Sequence, residues 1–422
     1  MAPESRTIRI CTVGSVDDGK STLLGRLLLD CKALLADHYA QVEEASRRRG
    51  AATIDLALVT DGLRAEREQG ITIDVAWRYL ATSTHRFILA DTPGHVQYTR
   101  NMLTGASTSD AVLLLVDAHR GLTAQSRRHL AMASLLGVDA LVVCVNKMDA
   151  VDFSQRRFDE LRAEVHGLLA RFARRTVQFI PISALQGDNV VERSPKMAWY
   201  VGAPVLATLG ALATERGGDH RPELLRLPIQ WVTRAQGDGV DVRGWAGRVE
   251  RGLLRVGDAV TLLPSGVATR VERLTVRGQP VEEASRGETV LVELQDDVDG
   301  SRGDVLVATA GQRPQVSQRV EADLFWLAAE PPRVGGGYIA KQLTLRAKAR
   351  LAAIHDRLDV ATLGRQPTDV LALNDVGRVT LHQARPFVWD PYDVDRRTGS
   401  FILIDETSGD TVGAGLLRRE LA

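Results

Sequence analysis

Short apolar runs alternate with stretches of helical period through the first half of the chain. Ile8 to Val13, Phe87 to Ala90, Ala111 to Val116, Ala140 to Val145 and Val177 to Ile182 are predicted as strands. Ser21 to Leu29, Ser126 to Leu136 and Arg156 to Phe172 are predicted as helices between them. Strands alternating with helices imply a doubly wound, mostly parallel α/β sheet. A last helix near 203–214 gives way to a polar stretch, Glu215 to Pro222, predicted as a linker. Beyond it the period changes. Short β-rich runs are separated by turn pairs such as Arg251-Gly252, Pro264-Ser265-Gly266, Arg277-Gly278 and Arg302-Gly303, the spacing of antiparallel barrels. A weaker break near 311–314 divides this half. The expected organisation is an α/β domain over 1–217 and two all-β barrels over 226–312 and 315–422.

Composition narrows the classes. The 422 residues are 44% hydrophobic and 25% charged, ordinary for a globular chain that buries several cores. Lys+Arg and Asp+Glu both number 53, so no broad basic surface for nucleic acid is expected. Three widely spaced cysteines, with no C-x-x-C, argue against a zinc site or disulfide framework and fit a reducing compartment. The polar N-terminus lacks the apolar core of a signal peptide, and no apolar run approaches the ~20 residues that span a bilayer. A cytoplasmic protein with no membrane association is expected. Only six of the basic residues are Lys.

Two of those six fall in motifs. Gly14-Ser15-Val16-Asp17-Asp18-Gly19-Lys20-Ser21 fits G-x-x-x-x-G-K-[ST] after a predicted strand and before a predicted helix, with Thr22 following. Such a loop wraps phosphates with backbone N–H groups at a helix N-terminus; Lys20 reaches the β- and γ-phosphates and the Ser21 hydroxyl ligates Mg²⁺. Asp91-Thr92-Pro93-Gly94 follows the next strand, where Asp91 serves Mg²⁺ and the Gly94 amide a γ-phosphate. Asn146-Lys147-Met148-Asp149 follows another. The Asp149 carboxylate can accept from N1–H and the exocyclic amine of guanine, donors that adenine lacks, so the nucleotide is expected to be GTP. In this reading Asn146 braces the loop, the Lys147 stem lies against the base, and Ser183-Ala184-Leu185 offers backbone N–H groups to guanine O6. Thr72, within Gly70-Ile71-Thr72-Ile73, is a further Mg²⁺ ligand if that segment lies over the nucleotide. His95, directly after Gly94, is placed to orient the attacking water; the other eight histidines are expected to be surface or capping residues. Gly335 to Lys341 resembles a second phosphate loop by eye but lacks Gly before Lys and Ser/Thr after it, and is expected to be a barrel loop.

Together these motifs resemble the translational GTPases of the elongation factor Tu type, over the whole chain. Gly247-Arg248-Val249, Val256-Gly257-Asp258, Gly399 to Asp405 and Thr411 to Gly415 match the barrels of that family. Ser15 and Asp18 stand where elongation factors typically carry histidines. With Asp55 to Leu63, Glu66 to Asp74, Thr99 to Met102, Thr104 to Thr108 and Gln186 to Val190, they resemble one branch, the GTPase subunits of bacterial heterodimeric ATP sulfurylases. The resemblance implies a hydrophobic gate, Val16 and Ile71, that holds His95 from the water until a partner triggers closure. It also implies a smaller catalytic subunit that makes adenosine 5′-phosphosulfate and pyrophosphate from ATP and sulfate, driven by GTP hydrolysis on this chain, in a heterodimer or higher assembly. Val96 departs from the acidic or polar residue usual after the His. Some relatives continue into an adenylylsulfate kinase domain; none is expected within these residues. The alternatives are an elongation-factor-type GTPase delivering aminoacyl-tRNA, disfavoured by the charge balance and by Ser15 and Asp18, and a GTP-dependent scaffold without coupled chemistry.

Overall fold

The computed structural model describes residues 7–34, 40, 42–44, 46–47, 56–59, 74–138, 140–170, 172, 176–212, 221–237 and 240–421. The chain forms two compact units, Met1–Arg216 with Asp359–Gly364, and Gly217–Leu358 with Arg365–Ala422.

In the first unit a six-stranded sheet runs in the order β2-β3-β1-β4-β5-β6. The strands are β1 Thr7–Val13, β2 Ala76–Ala81, β3 Arg86–Asp91, β4 Ala111–Asp117, β5 Ala140–Asn146 and β6 Thr176–Pro181. Every pairing is parallel except β2 with β3. β4 and β5 are buried at each residue, as continuous apolar runs must be when helices cover both faces. The edge strand β2 was not legible in the periodicity: its residues Trp77 and Tyr79 face solvent. The helix Thr99–Ser107 was also missed, being short and polar. The helix Lys20–Asp30 (α1) buries Leu23, Leu24, Leu27 and Leu28 into the core of Ile10, Leu89, Leu113 and Val142. Helices Ala124–Leu135 and Gln155–Leu169 start at side-chain caps from Thr123 and Ser154, which satisfy first-turn N–H groups. Cys11 and Cys144 are buried, and burial pushes both thiols up to about 12, so they behave as small apolar residues. The final helix of this unit is Val205–Leu212, and most of the expected linker lies outside the described residues.

The second unit holds two antiparallel barrels. The first is built from β7 Arg226–Gly237, β8 Val240–Arg248, β10 Ala259–Leu263, β11 Val267–Val276, β14 Thr289–Leu294 and β15 Val305–Ala308, with the three-residue strands β9 Leu253–Arg255, β12 Gln279–Val281 and β13 Glu283–Ser285 beside them. There β10, β15, β7, β8, β14 and β11 pair in turn, and a β10–β11 pairing closes the ring of six. The second is built from β16 Gln315–Trp326, β17 Gly337–Gln342, β18 Leu345–Leu358, β20 Val376–Trp389, β21 Ser400–Asp405 and β22 Thr411–Glu420, with the short β19 Arg365–Pro367 paired to β18. There β17, β21, β22, β16, β20 and β18 pair in turn and β17–β18 closes the ring. Closure pairs each of these strands on both sides, which removes the free edges of an open sheet. Trp245 centres one core, and Trp389, Phe387 and Phe401 fill the other. Between the barrels Leu263, Val305 and Val307 pack with Val388. Beside them Arg226 of the first barrel, 1% exposed, makes a bidentate pair with Asp390 after β20, at 2.9 and 2.8 Å. The glycine run expected as a loop is only partly one: Gly335 turns, and Gly337–Gln342 forms strand β17.

Candidate nucleotide site

In a parallel sheet every strand delivers its C-terminal end to the same edge, and ligands sit in the crevice there. The loop after β1 holds Gly14 to Gly19, Asp91 ends β3, Asp117 ends β4, Asn146 ends β5, and Ser183 follows β6. Residues far apart in sequence are thereby gathered along one edge.

At the phosphate end, the Ser21 hydroxyl donates to Asp91 Oδ2 at 2.7 Å, and Thr12 holds Asp91 Oδ1 at 3.1 Å. The Lys20 ammonium donates to the carbonyls of Gly14 and Ser15, at 3.3 and 2.8 Å. Burial lowers the Lys20 pKa, and Asp91 and Asp18 oppose the shift. An anion arriving beside this desolvated ammonium gains more than it would in water. Gly94 lies against the same group: a Cβ there would stand 2.5 Å from Lys20 Nζ and 2.7 Å from Val16 N, so only glycine fits. Gly19 opens α1 at φ 90, and a Cβ on it would collide with Asn146 Nδ2.

Two of the phosphate-loop amides face inward instead. The Gly14 N–H donates to His129 Nδ1 at 3.0 Å and the Ser15 N–H to Asp18 Oδ2 at 2.7 Å. The expected ring of amides is therefore narrower than the motif suggests. His129 also corrects the expectation that only His95 among the histidines is special. It is fully buried, its pKa lowered to about 3 by burial with help from Lys20 and Arg128. The neutral ring accepts from the loop. Ser126, on the same helix, donates to Asp18 Oδ2 at 3.4 Å. Asp18 is buried, which raises its pKa, and its Oδ1 has no partner. The signal for this second layer was present in the sequence as polar Gln125, Ser126 and His129 on one face of the helix Ala124–Leu135, a face that the structure buries.

At the base end, Asn146 bridges two loops: its Nδ2 donates to the Asp18 carbonyl at 2.8 Å, and its Oδ1 accepts from the Ala184 N–H at 2.9 Å. Lys147 pairs with Asp117 at 2.9 Å. Burial alone would raise Asp117, but Lys147 and the Arg120 and His119 N–H groups hold it below the usual carboxylate range. Asp149 Oδ1 is buried without a hydrogen-bond partner, an acceptor of the kind that guanine's paired donors satisfy. The three-residue Ser-Ala-Leu expectation is narrowed here. The Ser183 N–H donates to the Asp188 carbonyl and the Ala184 N–H to Asn146, whereas Leu185, 55% exposed, makes no such bond among the described residues.

His95 caps a short turn, its Nδ1 accepting from the Gln97 N–H at 3.3 Å, with Val96 exposed beside it. Val16 is half-buried in the phosphate loop, and Arg120 donates to its carbonyl at 3.4 Å. Ile71 and Thr72, the other gate residue and the third magnesium ligand, lie outside the described residues.

A mixed sheet with this loop at its edge, followed along the chain by two closed barrels, defines the translational type of GTP-binding protein. The elongation factor Tu GTP binding domain family matches residues 5–234, and the GTP-eEF1A C-terminal domain-like family matches residues 319–418. The fold is also that of the Ski7 GTPase-like domain of S. cerevisiae, at TM-score 0.55 and 16% identity over 99% of this chain and 98% of that one. Sulfate adenylyltransferase subunit 1 of Aeromonas salmonicida (strain A449) is 45% identical over 98% of this chain and 87% of its own length. The bifunctional enzyme CysN/CysC of Mycobacterium tuberculosis (strain ATCC 25618 / H37Rv) is 48% identical over 98% of this chain and 68% of its own length. The chain belongs to the sulfate adenylyltransferase subunit 1 family.

Proposed function

We propose that this chain binds GTP with Mg²⁺ and hydrolyses it to drive formation of adenosine 5′-phosphosulfate and pyrophosphate from ATP and sulfate on a smaller catalytic subunit. The observation that carries the nucleotide half is the pairing of a phosphate pole with a base pole on one sheet edge. Lys20, Ser21, Asp91 and Gly94 converge at one, and the unpartnered Asp149 Oδ1 stands at the other. The sulfate half rests on family membership at 45% identity along nearly the whole chain.

In this reading the amides from Val16 to Thr22 cradle the phosphates and Lys20 offsets their charge. Ser21 and Asp91, already 2.7 Å apart, hold the metal together with Thr72. The oxygen donor set suits Mg²⁺, which when bound neutralises charge on the β- and γ-phosphates. Asp149 orients guanine, Lys147 covers it, and Leu185 with Ser183 and Ala184 closes the base pocket. His95 orients the attacking water once the Val16 and Ile71 side chains part. Synthesis of a phosphosulfate anhydride is uphill, so a second hydrolysis supplies the drive.

The test is direct. The chain is mixed with its small subunit, ATP and sulfate, and adenylylsulfate is measured with GTP and with a non-hydrolysable GTP analogue. Formation is expected to rise with GTP and not with the analogue. Equal formation without GTP would remove the coupling role.

A further inference from the structure

One outward face of the second barrel carries a charge pattern that folding does not explain. Strand β18, Leu345–Leu358, alternates buried and exposed residues, and its exposed positions open with Arg346, Lys348 and Arg350. On β17 the directly opposed residue to Arg346 is Lys341, also exposed. Like charges directly opposed across two strands are destabilising, their Cβ atoms being about 5 Å apart. Arg350 is opposed on its other side by exposed His382 of β20. The row runs about 14 Å from Arg346 to Arg350 at the strand rise. Among the described residues Lys341, Arg346 and Arg350 enter no ion pair, and Lys348 alone meets a carboxylate, Glu406, at 2.9 Å. Two of the chain's six lysines sit here.

The cations border apolar ground. Ile339 of β17 is opposed by Ile404 of β21, and Lys341 by Ile402. The barrel core takes Tyr338, Ala340, Phe401 and Leu403, so the isoleucines between them point outward, where they are half-buried. A β-branched patch rimmed by charge has the anatomy of a protein–protein interface: an apolar centre to desolvate and a polar rim to steer.

We propose that this face, with Lys341, Arg346, Lys348 and Arg350 around Ile339, Ile402 and Ile404, docks an acidic-rimmed apolar patch on the small catalytic subunit. The inference rests on the proposed pairing with that subunit. Charge complementarity selects an acidic partner. The isoleucine floor favours protein over nucleic acid, because a phosphate backbone has no apolar surface to bury there and the face offers no Phe, Tyr or Trp ring for a base to stack on. The face contains no residue assigned to nucleotide binding.

The test uses the full chain and the small subunit at two salt concentrations. Lys341→Glu with Arg346→Glu is expected to weaken association by at least about tenfold and to flatten its salt dependence, with GTP affinity and melting temperature unchanged. Lys341→Gln with Arg346→Gln is expected to give a smaller loss, which separates attraction from introduced repulsion. Association equal to the parent in both variants, with the parent pair still forming, would overturn the docking face and leave the coupling function intact. A parent chain that does not associate at all would remove both. Salt-sensitive binding of tRNA by the parent, lost in the Glu variant, would overturn the protein partner in favour of nucleic acid.

Discussion

At the residue scale the site divides into groups that face the nucleotide and groups that hold those in place. His95, half-buried and capping a local turn, makes no bond to the phosphate loop among the described residues, so its loss need not disturb binding. His95→Ala is expected to keep GTP affinity and to lose roughly 10²–10⁴-fold in hydrolysis rate, the usual range for a positioned acid–base group. Equal turnover in single-turnover kinetics would refute its role. Asp149→Ala is expected to collapse discrimination between GTP and ATP, since the paired acceptor is what adenine cannot satisfy. Competition binding with both nucleotides measures it, and retained preference would move base recognition elsewhere. His129 carries a pH signature. An ordinary imidazole titrates near 6.5 and this buried one at about 3, so between them the unfolded chain binds a proton that the folded chain refuses. The stability contributed by the neutral ring is full above pH 6.5 and is lost as pH falls through that window. In His129→Gln the urea midpoint is expected to fall less steeply from pH 6.5 to 4 than in the parent. Parallel profiles would show that His129 does not set the slope.

At the element scale, two helices start the same way and do different work. Thr123 accepts from the Ser126 N–H, and Ser154 from the Arg157 N–H. Either cap replaced by Ala is expected to cost about 1 kcal/mol of stability. The helix after Thr123 carries Ser126 and His129 under the phosphate loop, whereas the helix after Ser154 supplies no bond to that loop among the described residues. Thr123→Ala is therefore expected to weaken GTP binding as well, and Ser154→Ala to leave it unchanged. Calorimetric titration of both variants decides, and an equal effect on affinity would sink the distinction. The strong elements were legible in sequence because continuous apolar runs such as Ala111 to Val116 have one stable place, the middle of a covered sheet. β2 was not legible, because an edge strand with exposed Trp77 and Tyr79 lacks the inward-apolar alternation that marks a half-buried strand.

At the scale of the whole molecule, the two barrels are joined by a buried ion pair as well as by apolar contact. Arg226 also donates from Nη1 to the Leu225 carbonyl and from Nη2 to the Gln312 carbonyl, and Asp390 takes the Thr398 hydroxyl at 3.0 Å. Arg251, also buried, lies 4.0 Å from the same carboxylate, so removal of Asp390 strands the Arg226 charge and takes a neighbouring anion from Arg251. Asp390→Ala is expected to cost about 3–5 kcal/mol, and Arg226→Met with Asp390→Leu distinctly less. Denaturant melts of the second unit's tryptophan fluorescence test the order, and a double variant worse than the single would contradict it.

The sequence alone determined the class of fold, the order of its three β- and α-rich parts and the motif residues of the nucleotide site. These depend on local period and on short fixed spacings, which are written into the chain. It also narrowed the family, through Ser15 and Asp18 among the motif residues. Only the tertiary structure decided where the Gly14 and Ser15 amides point, that His129 and Ser126 stand under the loop, and that Asn146 ties Asp18 to Ala184. It alone set Lys341 opposite Arg346. These contacts join residues that the fold brings together at sheet edges and across strand registers, and no local pattern encodes which partner a buried polar group will find.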